Sequence, residues 1–342
     1  MTITPRPKPY TVLCYEALFR WLKEKHRHNK ILNQDYGHQL AGHLGEQQVD
    51  YKLSIYPHNN FRYFQGIRLK INHKFFQMDG VLLFNSFILI LEIKNWKGTL
   101  QYNPETNSIT QTFQNVKKNY QNPITQVNNH EMQLNSWLQE VPGIFGVPIE
   151  SLVVISDSTT IFNSPNNNPE LYKKMIYADS LIQKINELKI KHTKKLLKKE
   201  EIDYLEETFL RCDTPLKPNL IKQYKIPSEY FINGIECSHC GHSPMSRLYK
   251  SWQCAKCYYK DPLAHERKIL DYFLLFNSSI TNKECRSILQ LNNDNTAYTL
   301  LNSMGLKQTG KNKGRKYHAP SLDNFPQKSY VPNKRINILD YN

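Results

Sequence analysis

No stretch of this chain is both long enough and apolar enough to cross a bilayer. The longest apolar run, Val81 to Ile93, is broken by Asn85, Ser86 and Glu92, whereas a spanning helix needs about 20 apolar residues. The opening residues MTITPRPKPY lack the apolar core of a secretory leader. Acids are scarce too: 30 Asp and Glu stand against 45 Lys and Arg, a formal net charge of +15. No segment recurs at a fixed period, which argues against solenoids and propellers. A disulfide framework is also missing. Of the 7 cysteines, Cys14, Cys212 and Cys285 are scattered, and the other four form two C-x-x-C pairs.

These absences leave a soluble, cytoplasmic chain without membrane association as the expectation. Its 342 residues suffice for two or three domains with a sizeable core. Mean hydropathy is −0.61, yet aromatics reach 12% with 21 Tyr, so disorder does not explain the polarity. The positive balance, with a pI near 9.3, points to a polyanionic partner, nucleic acid before an anionic membrane surface.

Composition separates four regions, 1–165, 166–230, 231–262 and 263–342, within which six segments are expected. Residues 1–37 read as an N-terminal helical extension, and residues 38–165 mix helical and strand patterns. Residues 166–230 hold two Lys/Glu/Leu-rich helices and a Pro-containing connector, the Lys-rich faces being solvated. The Cys pairs fall in 231–262, a small helical domain with a basic hairpin in 263–320, and a polar tail in 321–342.

The stretch QMDGVLLFNSFILILEIKNWKG places acids and a lysine inside apolar strands. With Asn85-Ser86 as a two-residue turn, Phe84 faces Phe87 and Asp79 faces Glu92, with Cβ atoms about 4.5–5.5 Å apart. Lys94, two residues on, projects from the same face as Glu92. One face carries Val81, Leu83, Ile88 and Ile90, the other Met78, Leu82, Phe84, Phe87, Leu89 and Leu91, so both need cover. Two facing carboxylates there repel and lose hydration; a divalent cation between them reverses the balance. The bland alternative is a Lys94–Glu92 ion pair with Asp79 serving a turn.

An Asp, twelve intervening residues, then Glu-x-Lys on a hairpin resembles the PD-(D/E)xK core of restriction-endonuclease-like nucleases. Met78 stands where that pattern often has Pro. Flanking residues resemble the nuclease-related domain (NERD) of that superfamily over roughly 38–165. These are Glu46 after Gly45 on a preceding helix, with Val49 and Leu53 on its core side, and Asn122, Pro123, Gln126 and His130 on a following helix. Leu152 to Ile155 reads as a further strand. The resemblance implies Mg²⁺ (or Mn²⁺) held by Asp79, Glu92 and the Ile93 carbonyl, with Glu46 completing the shell. Lys94 orients the attacking water, and Gln126 is an additional polar residue of the site, His130 a weaker one.

Cys237 and Cys240 precede Cys254 and Cys257, two turns whose sulfurs complete a tetrahedral structural Zn²⁺ site. Gly241 suits the first tight turn, His239 and His242 are surface residues, and the segment resembles a zinc ribbon. Arg247, Tyr249, Lys250 and Trp252 lie between the pairs, where they can touch nucleic acid.

Further on, Thr281 and Glu284 form a capping box, and Gly305 closes a third helix. A turn-rich stretch follows with Lys307, Lys311, Lys313, Arg315 and Lys316 and no acid. Three helices and a basic hairpin resemble a winged helix-turn-helix, with Thr296, Tyr298, Thr299 and Asn302 on the recognition helix. The alternative is a winged helix used for protein contacts.

The expected fold is α/β: a restriction-endonuclease-like mixed sheet flanked by helices, plus a zinc ribbon and a small winged-helix domain. The expected function is a Mg²⁺-dependent nuclease, endo- rather than exonucleolytic, delivered to DNA by the C-terminal modules. Alternatives are a catalytically inactive DNA-binding or regulatory protein on a nuclease fold, or an RNA-directed nuclease. A homodimer or a protein partner stays open.

Overall fold

The structure, a computed structural model, describes residues 3–56, 61–164, 169–329 and 331–332. The polar tail beyond 332 lies outside the described residues. Among the described residues, packing gathers the chain into two compact units, 3–6 with 40–215 and 7–39 with 216–332. This division cuts across the composition boundaries: 166–215 cluster with the mixed segment, and 7–39 with the Cys-bearing half.

In the first unit, Phe84 N donates to Phe87 O at 3.0 Å, so Asn85-Ser86 is a two-residue turn. The strands Gly80–Phe84 and Ile88–Lys94 then pair antiparallel, Gly80 with Leu91 through Leu83 with Ile88. Phe61–Gln65 lies antiparallel outside the first. Ile149–Ile155 runs parallel to Ile88–Lys94, and Met175–Tyr177 closes the five-stranded mixed sheet.

Helices cover both faces, which is why these strands read as almost continuously apolar. On one face Val81, Leu83, Ile88 and Ile90 pack against Leu134, Trp137 and Leu138 of the helix Pro123–Gln139 and Leu205 and Phe209 of Lys199–Cys212. On the other, Leu82, Leu89 and Leu91 meet Val49 and Leu53 of Lys30–Ser54 and Leu181, Ile185 and Leu188 of Leu181–Lys191. Met78 joins the first face, not the second as strict alternation requires. The ladder is interrupted there: Met78 N donates to Ile67 O (3.0 Å) and Gly66 N to Asp79 O (2.9 Å). Two residues thus turn to a neighbouring segment before the strand resumes at Gly80.

A second sheet orders Ile161–Asn163, Thr99–Asn103, Ser108–Phe113 and Val116–Gln121. Its last three strands follow the main-sheet strand that ends at Lys94 and lead into the helix Pro123–Gln139 at Asn122. The Asn122 side chain accepts from Ile124 N, and Pro123 occupies the first helical turn, where its missing N–H costs nothing.

In the second unit, the helices Tyr10–Trp21 and Ala264–Leu275 are joined by a buried pair, Arg20 Nε and Nη2 donating to Asp271 at 2.8 and 2.7 Å. Short strands Ser246–Leu248, Ser251–Gln253 and Lys260–Asp261 form the Cys-bearing sheet. Beyond them run strand Ser279–Thr281, helices Asn282–Leu289 and Asp294–Ser303, and strands Gln308–Thr309 and Lys316–His318, the last lying between the other two strands. The Thr281–Glu284 capping box is formed, with Thr281 N donating to Glu284 Oε2 at 2.8 Å. Gly305, just past the next helix, takes φ +63°, a conformation that favours glycine. Among the described residues, no helix is long and apolar enough to cross a membrane.

Candidate functional site

Four side chains converge where the hairpin meets the helix Lys30–Ser54. The hairpin register brings Asp79 beside the Glu92–Ile93 end of its partner, and Asp79 Oδ2 accepts from Ile93 N at 2.8 Å. Gly45 lets the helix in. A Cβ at this position would lie 2.6 Å from Asn95 Cβ and 2.8 Å from Ser156 Oγ, so the helix rests on the strand ends and carries Glu46 to the carboxylates. Asn95 Nδ2 ties the helix down by donating to Ala41 O at 2.8 Å.

Lys94 donates to Glu92 Oε1 at 2.6 Å and to Gln126 Oε1 at 3.1 Å. Gln126 and His130, one turn apart on Pro123–Gln139, both face this corner. The ion pair of the bland alternative is therefore formed, and Asp79 does hold a backbone amide. That account leaves part of the site unexplained. Glu92 Oε2 is buried without a hydrogen bond, as is His130 Nδ1, and the two stand 3.7 Å apart. A buried acceptor left in this state costs about 1–3 kcal/mol. Burial, with Asp79 beside it, pushes the Glu92 carboxyl up to about 7 against the pull of Lys94. Burial and Asp79 likewise push Glu46 up to about 8 despite Arg6. Burial holds His130 below the usual imidazole range.

Sequence reading missed the other side of this corner. Arg6, 4% exposed at its side chain, pairs with Glu46 at 3.0 Å and with Asp50 at 2.8 Å. Tyr63 Oη donates to Asp50 Oδ1 at 2.5 Å, and Gln65 Nε2 donates to Asp50 Oδ2 at 3.0 Å. Arg6 precedes Glu46 by 40 positions, and nothing in TPRPKP marks it.

A divalent cation fits this donor set. Asp79 raises the proton affinity of Glu46 and Glu92, and one buried carboxylate oxygen has no hydrogen bond, the condition a hard cation relieves. The acids are not drawn into a tight cage. Among the described residues, the group of three or more His, Cys, Asp or Glu side chains whose ligand atoms all lie within 4.8 Å is Cys237, Cys240, Cys254 and Cys257.

Those four sulfurs pair across two turns, Cys237 with Cys257 at 3.7 Å and Cys240 with Cys254 at 3.5 Å. Tetrahedral Zn–S bonds of about 2.3 Å imply S–S edges near 3.8 Å, so the cluster could hold such an ion. In the first turn Gly241 N donates to Cys237 O with φ +71°; in the second Tyr258 N donates to Cys254 O with φ +58°. His239 stacks on Tyr259 instead of joining the cluster. Trp252 is 1% exposed, so it fills this segment's interior and is removed from the nucleic-acid candidates, while Tyr249 is 87% exposed. Arg247 lies over the Trp252 ring at 5.3 Å, and Lys250 is exposed.

In the C-terminal hairpin Lys307, Lys311 and Lys316 are exposed; the Lys313 side chain lies outside the described ones. Arg315 stands 5.2 Å over the Tyr298 ring, joining hairpin and helix. Thr299 is exposed and Thr296 half-buried. Asn302 is committed internally: its Oδ1 accepts from Gln308 Nε2 at 3.0 Å and Tyr317 Oη at 3.1 Å.

No curated protein and no solved structure matches the chain. A family model described as NERD, nuclease-related domain, matches residues 41–156. That span contains Glu46, Asp79, Glu92, Lys94 and Gln126 but not Arg6. Residues 41–156 are thus similar to a nuclease-related domain.

Proposed function

We propose that this chain is a divalent-metal-dependent nuclease acting on DNA phosphodiesters. The observation that carries the reading is the convergence, inside the nuclease-related domain, of Asp79, Glu46 and Lys94 on a Glu92 whose Oε2 is buried and unpartnered. Asp79, Glu92 and the Ile93 carbonyl would hold Mg²⁺ or Mn²⁺, helped by Glu46. A cation bound there supplies Lewis acidity toward a phosphoryl oxygen and lowers the pKa of a water. Lys94, steered by Glu92 and Gln126, orients that water and offsets the charge developing on phosphorus-bound oxygen. His130, held neutral by burial, keeps a second positive charge away from Glu92.

We assign DNA affinity to the other unit. The order helix, strand, helix, helix, hairpin with a three-stranded sheet supports a winged helix, with Lys307, Lys311, Lys313, Arg315 and Lys316 toward phosphates and Thr296, Tyr298 and Thr299 toward bases. Four gathered thiolates support a structural Zn²⁺ ribbon. The formed Lys94–Glu92 pair favours a second reading, a nuclease fold that binds DNA without cutting. The discriminating assay incubates supercoiled, linear and single-stranded DNA, and RNA, with the protein in Mg²⁺, Mn²⁺ or EDTA. Metal-dependent cleavage that disappears in Glu92→Ala and Lys94→Ala supports the enzyme. Binding without cleavage in every condition supports the second reading.

A further inference from the structure

Resting on the nuclease reading, we propose that Arg6 is a positioning residue of the active site. Its guanidinium clamps Glu46 to the backbone of Asp79, so that residues well before the nuclease-related domain complete that domain's metal-facing side. Every guanidinium nitrogen is engaged. Nη1 donates to Glu46 Oε2 and to Asp79 O, both at 3.0 Å. Nη2 donates to Asp79 O, Tyr63 Oη and Asp50 Oδ1, and Nε to Asp50 Oδ2 at 2.8 Å.

The geometry separates an anchor from a load. Asp50 takes the fork with both oxygens, in the planar arrangement that only arginine supplies. Tyr63 and Gln65 fix Asp50 from the neighbouring strand, and Gln65 Nε2 also donates to Thr4 O at 3.1 Å, holding the incoming segment. The remaining edge of the guanidinium bridges two groups that otherwise lie on separate elements, a helical carboxylate and the peptide where the strand ladder is interrupted. Asp79 O already accepts from Gly66 N, so Arg6 adds to a carbonyl that is fixed. Glu46 is the movable partner, and Arg6 sets where its carboxylate stands relative to Asp79.

The test uses the full-length, zinc-loaded chain and Mn²⁺ as the probe, followed by calorimetry, together with kcat and KM on DNA. Arg6→Ala alone leaves Asp50 buried and unpaired, so the informative variant is Arg6→Ala with Asp50→Asn, which removes both charges. Arg6→Lys keeps the charge and loses the fork. The double variant is expected to melt like the wild type, to bind Mn²⁺ weaker by about tenfold or more, and to lose kcat with little change in KM. Added methylguanidinium should recover part of the Mn²⁺ affinity, which a purely structural role does not explain. A folded double variant with wild-type Mn²⁺ affinity and kcat overturns the proposal. If the double variant does not fold, Arg6→Lys decides: loss of Mn²⁺ affinity sustains the clamp and wild-type affinity rejects it. A wild-type chain that binds no Mn²⁺ and cuts nothing overturns the nuclease reading itself, and the clamp with it.

Discussion

Glu92 has one oxygen on Lys94 and the other on nothing, and its protonation should therefore report on the whole corner. The folded chain holds the Glu92 and Glu46 protons up to about 7 and about 8, whereas an unfolded Glu releases its proton near 4.3. Between those limits the native state binds more protons than the unfolded one, so metal-free stability falls as pH rises from about 4.5 toward 8. Glu92→Gln should flatten that slope and stabilise the metal-free protein at pH 8 by on the order of 2 kcal/mol, read from melts with EDTA at several pH values. A slope unchanged by the substitution would show that Glu92 is not the group responsible. Gly45→Ala should cost about 1–3 kcal/mol by pushing the helix off Asn95 and Ser156, checked by denaturant titration. The two-residue turn and the register as far as Gly80 with Leu91 were legible from local sequence, and with them the approach of Asp79 to the Glu92–Ile93 end. Arg6 and Asp50 were not, since their partnership is set by tertiary packing across 44 positions.

At the scale of elements, strong local chemistry was readable and weak local chemistry was not. The Thr281–Glu284 box, the Asn122-Pro123 helix start and the Gly241 turn each carry a residue whose role follows from its own backbone needs. The hairpin joining Arg68–Ile71 to Lys74–Gln77 carries no such marker. Its turn residues Asn72 and His73 both take positive φ, 46° and 62°, and His is not the glycine that normally announces such a turn. The Cys segment gives an element-level prediction. Elemental analysis should find about one zinc per chain, because one four-thiolate site holds one ion. Cys237→Ser or Cys254→Ser should release it and raise proteolytic cleavage within 231–262. Protein purified without chelators and found free of zinc would refute the assignment.

Over the whole molecule, composition suggests four consecutive regions, while packing collects the described residues into two units whose pieces are far apart in sequence. Composition is a local property; a pair such as Arg20 and Asp271, 251 positions apart, leaves no local trace. This bears on how DNA affinity is tested. Deleting 263–342 would strip from the buried Arg20 its bidentate partner Asp271, which is strongly destabilising. Charge neutralisation is cleaner. Replacing Lys311, Lys313, Arg315 and Lys316 by Gln should weaken DNA binding by more than about tenfold. It should also lower the slope of log affinity against log salt by about 0.9 for each phosphate no longer neutralised. Cleavage at saturating protein should persist. Unchanged affinity and slope would move this hairpin to a protein-binding role and leave the carboxylate site as it stands.

The Lys94–Gln126 hydrogen bond has a consequence for how this chain can diverge. The polypeptide leaves the main sheet at Lys94, builds three strands, and starts the helix Pro123–Gln139 at Asn122, so the bond fastens the neck of a detour. Of its two turns, the one at Glu105–Asn107 is tied to the helix start, Asn107 Oδ1 accepting from Asn122 Nδ2 at 2.8 Å and Asn107 Nδ2 donating to Thr125 Oγ1 at 3.2 Å. The one at Gln114-Asn115 can lengthen with small entropic penalty, since loop closure depends only weakly on length. Relatives should therefore vary more at Gln114-Asn115 than at Glu105–Asn107, where a changed turn would release the start of the helix that carries Gln126.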